Sequence, residues 1–125
     1  MTFDYIRVED VVAIHADQIA RFGGREGIRD PGLLEAALFR PQTGYYATLI
    51  DEGAALWESL SQNHPFIDGN KRTAFAATYV FLAINGLEIV ATDAESQDFI
   101  LGLYSSGDFS FDPLRGWLAA HTQPV

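Results

Sequence analysis

His64–Ile84 reads HPFIDGNKRTAFAATYVFLAI: a polar, charged opening followed by a run, Ala74–Ile84, without a single charge. The opening holds a histidine, a carboxylate and two cations between His64 and Arg72, and Lys71 is the only lysine in the chain. The spacing predicts a helix that begins near Gly69 or Asn70 and stops at Asn85-Gly86, a C-terminal signal. From Phe75 to Ile84 it is apolar on nearly every side, so it is expected to be enclosed by other helices. A buried helix fixes its own amino end in space, and that end carries unpaired N–H groups and partial positive charge.

Outward from this segment the chain reads as helices. Val8, Val12, His15, Ile19 and Phe22 form a stripe predicting a first helix over Val8–Phe22, stopped by Gly23-Gly24. His15 on that stripe reads as a packed core residue. Asp30 as N-cap and Pro31 at the first helical position open a second, short helix that ends by Pro41. Tyr46, Leu49, Ile50, Gly53, Leu56 and Leu60 make the apolar face of a third, running to about Gln62. LEIVAT (Leu87–Thr92) could be a strand, but it has no obvious partner. Asp93–Tyr104 and Pro113–His121 read as two more helices, the latter capped by Asp112. The expectation is an all-α bundle of about six helices around a central buried helix, one domain over residues 1–125.

Composition narrows the function classes. Hydrophobic content of 48% and charged content of 20% suit a soluble globular protein of 125 residues. The absence of cysteine excludes disulfides and thiolate metal sites. The start MTFDYIRVED has no signal-peptide pattern, and Thr73–Leu87 is too short to span a bilayer, so the expectation is cytoplasmic with no membrane association. A net charge of −9 argues against direct nucleic-acid binding, which draws on many phosphate contacts. It suits a basic protein partner or simple solubility.

The ten residues His64–Thr73 offer the parts of a phosphate site. Gly69 would let an anion approach the backbone, and Asn70, Lys71 and Arg72 add donors. Asp68 beside bound phosphates needs a cation between, which makes it a candidate Mg²⁺ ligand. His64 can accept a proton near neutral pH. A structural reading stands beside this one: His64 capping a helix end, Asp68 as N-cap, Lys71 and Arg72 as a solvated first turn. Cations in a first turn are misplaced by about 0.3–1 kcal/mol each, which favours a resident anion.

HPFIDGNKRTA resembles the signature of Fic/Doc proteins, specifically the Doc (death-on-curing) toxins. IARFGGREGIRDPGLLEAALFRPQ (Ile19–Gln42) is similar to the N-terminal half of Doc proteins, and FLAING (Phe81–Gly86) also fits. The resemblance covers most of residues 8–90 and implies a small helical fold and the toxin half of a toxin–antitoxin pair. AMP-transferring Fic enzymes carry a second glycine where Lys71 stands, and a second arginine where Phe75 stands. Both departures are those of Doc, which implies transfer of the γ-phosphate of ATP to a threonine of elongation factor Tu, blocking translation. Carried over, His64 is the general base, Asp68 the Mg²⁺ ligand, and Gly69, Asn70, Lys71 and Arg72 hold nucleotide phosphates. Arg21 matches a further Doc phosphate contact, or else simply closes the first helix favourably. The implied partner is a Phd-like antitoxin that folds over a groove near the site. The alternatives are AMP transfer on the same scaffold and a catalytically silent antitoxin-binding protein. TLIDEG (Thr48–Gly53) also fits the short inhibitory pattern of some Fic enzymes, but lies within the third predicted helix and reads as chance.

Overall fold

The structure, a computed structural model, describes residues 3–125. Six helices and two short strands follow one another: α1 Val8–Phe22, α2 Pro31–Phe39, α3 Leu49–Asn63, α4 Asn70–Ile84, β1 Leu87–Ile89, α5 Asp93–Ser106, α6 Phe111–Ala120 and β2 Thr122–Pro124. A 3-10 turn, Arg40–Thr43, extends α2 where Pro41 interrupts the helical bonding. Asp30 caps α2 through a bond from the Leu33 amide (3.1 Å), and Thr48 caps α3 through one from Asp51 (3.1 Å). No helix among the described residues is long and apolar enough to cross a membrane.

The bundle has a central helix, but it is α3 and not α4. Nearly the whole of Glu52–Ser61 is buried, including Trp57, Leu56 and Leu60, and α3 is packed by α2, α4 and α6. Small residues make this possible. A Cβ on Gly53 would meet Leu82 of α4 at 3.0 Å and Leu118 of α6 at 3.6 Å. Gly53, with Ala54 and Ala55 beside it, therefore lets α4 and α6 close on α3. On α4 the buried residues are Thr73, Ala74, Ala77, Thr78, Phe81 and Leu82, whereas Tyr79 and Ile84 are exposed. An uncharged run thus overstated its enclosure. Its far side is apolar yet open to solvent.

Three further expectations change. LEIVAT does have a partner: β1 pairs antiparallel with β2, Glu88 opposite Gln123, so the C-terminus returns to the end of α4. Asp112 is the second residue of α6, whose cap is Ser110, and the Phe111 amide bonds Glu58 (2.9 Å). On α1 the buried residues are Val11, His15 and Ile19, so His15 and Ile19 keep the predicted stripe, while Val8 and Val12 are half-buried and Phe22 is 64% exposed. An aromatic cluster of Trp57, Phe75, Phe99, Phe109 and Trp117 fills the region between α3, α4, α5 and α6.

Candidate active site

α3 ends at Asn63 and α4 begins at Asn70, so the six residues between them are a reversal held at both ends by packed helices. His64 is the C-cap of α3 with φ 47° and ψ 56°, the one non-glycine residue of positive φ among those described. Such a backbone costs a non-glycine residue on the order of 1 kcal/mol, so its surroundings must impose it. They do so through the segment Gly23–Asp30. The Pro65 carbonyl accepts from the amides of Arg29 (2.7 Å) and Asp30 (3.0 Å), and the Ile67 amide donates to Gly27 (3.0 Å). Ile28 and Phe66 form a single antiparallel bridge.

Phe66 is 1% exposed and anchors the reversal. Its ring stacks on the buried His15 imidazole, with centroids 3.9 Å apart and planes at 4°. His15 Nε2 lies 2.8 Å from the Asp68 carbonyl; a carbonyl only accepts, so this nitrogen carries the proton. His15 is thus a packed core histidine, as its stripe position predicts, and it also steadies the peptide beneath the site. Asn70 locks the turn from the other side. Its Oδ1 accepts from the Phe66 amide and its Nδ2 donates to the Phe66 carbonyl, both at 2.9 Å. That side-chain amide was expected among the phosphate holders; its oxygen and one of its two N–H donors go to the loop backbone.

Asp68 does not cap α4, and among the described residues it pairs directly with no cation. The cap position is Gly69, without a side-chain bond. The carboxylate accepts from the Arg25 amide at Oδ2 (3.1 Å) and the Gly69 amide at Oδ1 (2.8 Å). These two bonds, the Arg25 amide foremost, hold its pKa below the usual carboxylate range, and the charges of Arg72 and Arg25 add to the effect. Gly24 makes this approach possible. Its φ is +121°, and a Cβ there would stand 2.7 Å from Asp68 Oδ2. Gly69 is also required by its own backbone and neighbours. With φ +73°, a Cβ would aim at Ile19 (3.1 Å), Arg72 (3.3 Å) and His15 (3.8 Å), which are protein atoms.

The amino end of α4 is open. Among the described residues nothing accepts from the amides of Asn70, Lys71 and Arg72, and the first intrahelical bond is Thr73 to Gly69 (3.0 Å). The two cations diverge from it. Lys71 Nζ lies over the Tyr104 ring of α5 at 4.0 Å, whereas Arg72 bonds the Gly23 carbonyl (2.9 Å) beside the Phe22 ring. Arg21 is not brought to this point; it pairs with Asp17 one turn back on α1 (2.9 Å). Arg25 and Arg29, which the sequence reading passed over, flank the site. The signal available was GGREGIRD itself, three glycines and two arginines in one short loop. Phe75, where an AMP-transferring enzyme has arginine, faces the core against Trp57 (5.2 Å) and Trp117 (6.3 Å).

A profile described as "Fic/DOC family" matches residues 5–82, which include every residue of the arrangement above except Tyr104 and Trp117. The chain belongs to the Fic/Doc family. Among curated proteins it is 41% identical over 122 residues to "Toxin Doc" of Mycolicibacterium smegmatis (strain ATCC 700084 / mc(2)155), covering 93% of this chain and 92% of that protein. It is 34% identical over 89 residues to "Protein kinase doc" of Escherichia phage P1, covering 68% of this chain and 71% of that one. Both relatives are Doc proteins, as the signature implied. The Fic/Doc match covers α3, the reversal and α4 as far as Leu82. The inhibitory pattern at Thr48–Gly53 stays apart from the site: Glu52 is buried, accepts from the Tyr5 hydroxyl (2.8 Å), and lies near the opposite end of α3 from His64.

Proposed function

We propose that this Fic/Doc protein is the toxin of a toxin–antitoxin module and a protein kinase. It would act in the cytoplasm, moving the γ-phosphate of ATP to a threonine hydroxyl of elongation factor Tu and so blocking translation. The observation that carries the reading is the open amino end of α4, whose three unpaired amides sit one turn of chain from Asp68 and His64. The name of the phage relative, a protein kinase, supports it.

His64, exposed at the end of α3, accepts the proton of the target hydroxyl on its imidazole. The hydroxyl oxygen bonds the γ-phosphorus as the bond from that phosphorus to its bridging oxygen breaks, and ADP leaves. The amides of Asn70, Lys71 and Arg72 bind phosphate oxygens, and Arg72 is close enough to the Asp68 carboxylate to feel its charge. Lys71 can leave the Tyr104 face, a contact worth about 0.5–1 kcal/mol at an exposed position.

The site fits Mg²⁺ in the manner of nucleotide-bridging ions. Asp68 is held ionised and keeps lone pairs beyond its two amide bonds, and no cluster of three or more metal-binding side chains occurs among the described residues. Mg²⁺ is commonly held by one carboxylate plus substrate phosphates. Asp68 would be that carboxylate, and the ion would offset charge on the phosphates. Five of the chain's eight cations, Arg21, Arg25, Arg29, Lys71 and Arg72, lie in the two segments that build this end of the molecule. In a chain of net charge −9 that concentration favours an anionic ligand here. The acidic remainder leaves a Phd-like antitoxin, and not this chain, as the DNA-binding partner.

AMP transfer is the competing reaction on this scaffold, and Phe75, half-buried against Trp57 and Trp117, disfavours it by offering no charge to a phosphate. Incubation with elongation factor Tu and ATP labelled separately at the α- and γ-phosphates decides between them. Label from the γ position is expected on the target. Label from the α position would overturn the kinase reading, and no label with either would favour a silent antitoxin-binding protein.

A further inference from the structure

Arg29 does more than join two loops. Its Nε donates to the His64 carbonyl (2.7 Å), its terminal NH₂ to the Asn63 carbonyl (2.8 Å), and its own backbone amide to the Pro65 carbonyl (2.7 Å). One residue thus gathers the carbonyls on His64 and on both its neighbours. Those carbonyls stand at the C-terminal end of α3, where partial negative charge collects and a guanidinium is favourably placed. His64 is also the residue whose backbone sits in the left-handed region. Asn63 is held a second way, its side chain donating to the Leu33 carbonyl (3.0 Å) in α2. The His64 side chain, by contrast, has no hydrogen bond among the described residues, so its direction is set through its backbone.

We propose that Arg29 is a positioning residue for His64: the fork on the Asn63 and His64 carbonyls, with the backbone bond to Pro65, fixes the left-handed backbone from which the imidazole projects. Arg29 touches neither nucleotide nor target. The inference rests on His64 being the base of the proposed transfer, but the clamp itself is a structural statement that can be read without turnover.

Two variants separate the contributions. Arg29→Met keeps most of the stem and removes the donors. Arg29→Lys keeps the charge but cannot bond two carbonyls with a planar fork. Each is compared with wild type by steady-state transfer of γ-phosphate from Mg-ATP to elongation factor Tu. Each is also compared by NMR of histidine-labelled protein, in which three imidazoles give the whole spectrum. For Arg29→Met the turnover number is expected to fall about ten- to a hundredfold, the scale of a misplaced reacting group. The KM for ATP should stay within about twofold, since no ground-state contact is lost. The His64 resonance should shift or broaden while those of His15 and His121 hold. Arg29→Lys should fall between.

Unchanged turnover, an unchanged His64 resonance, or a rise in KM alone would each overturn the assignment. So would unfolding of both variants at the assay temperature, because Arg29 would then be holding the fold and not one residue. A wild-type protein that moves no γ-phosphate sinks the kinase reading only, and the resonance comparison still decides the clamp.

Discussion

The two ends of α4 use one device for opposite purposes. At the amino end, Asn70 bonds both the amide and the carbonyl of Phe66; at the carboxyl end, Asn85 does the same to Asp4, with both bonds at 2.8 Å. In each case an amide side chain imitates a strand neighbour and pins a passing segment. What differs is the remainder. At the carboxyl end the last carbonyls are used: Phe81 accepts from Asn85 Nδ2, Leu82 from the Asn85 amide, Ala83 from the Gly86 amide. At the amino end three amides stay unused and two cations flank them. A closed end is architecture, and the open one is where the proposed function puts the phosphates.

The sharpest way to break this contrast is to remove the imidazole proposed as the base. His64→Ala should lower transfer about a thousandfold, the middle of the range for a general base, with the melting temperature little changed because the side chain is exposed. A growth arrest as strong as that of wild type would show that catalysis is not the cause of toxicity. Next comes the paired substitution. Asn70→Ala strands the amide and carbonyl of buried Phe66 and should cost about 2–3 kcal/mol in denaturant unfolding, with loss of transfer. Asn85→Ala leaves Asp4 in contact with water and should cost only about 1 kcal/mol, with transfer intact. Equal effects on transfer would dissolve the distinction between the ends.

The glycines sharpen it further. Gly24→Ala combines a forbidden φ with a 2.7 Å approach to Asp68, so it should destabilise by roughly 1–3 kcal/mol and weaken Mg-ATP protection in thermal melts. Gly86→Ala, φ +92° with open space around it, should cost roughly 1–2 kcal/mol of backbone strain and leave nucleotide binding alone.

The smallest effect is the pH dependence. Asp68 is held below the ordinary carboxylate pKa in the fold, so its contribution is present above about pH 4 and is lost as pH falls through the depressed value. Glu52 has the opposite sign. Burial raises its pKa, only partly opposed by the Tyr5 hydroxyl, so it weakens the fold as pH rises through the ordinary carboxylate range. Tyr5 is itself pushed up to about 12, by burial first and by Glu52 second. Asp68→Asn should therefore flatten the acid limb of the stability curve, and Glu52→Gln should raise stability at neutral pH. Parallel curves for wild type and Asp68→Asn below pH 4 would contradict the first.

Much of this was legible in the order of residues. Helix α1 ends where Gly23-Gly24 ends it, α2 starts at the Asp30-Pro31 signal, and α4 runs from Asn70 to the asparagine and glycine that close it. Caps, prolines and glycines act on the backbone within a few residues, so they can be read locally. The signature His64–Thr73 likewise pointed to the family.

Tertiary structure decided what each of those residues is free to do. Only the fold makes α3 the enclosed helix, gives β1 its partner from the last residues of the chain, and spends the Asn70 amide on Phe66. It sends Lys71 and Arg72 to opposite flanks, ties Arg21 to Asp17, and brings Gly24, Arg25 and Arg29 from some forty residues away onto Asp68 and His64. A sequence states which donors and acceptors exist. Which of them remain unpaired is a property of the whole packed molecule, because each pairing depends on groups far apart along the chain.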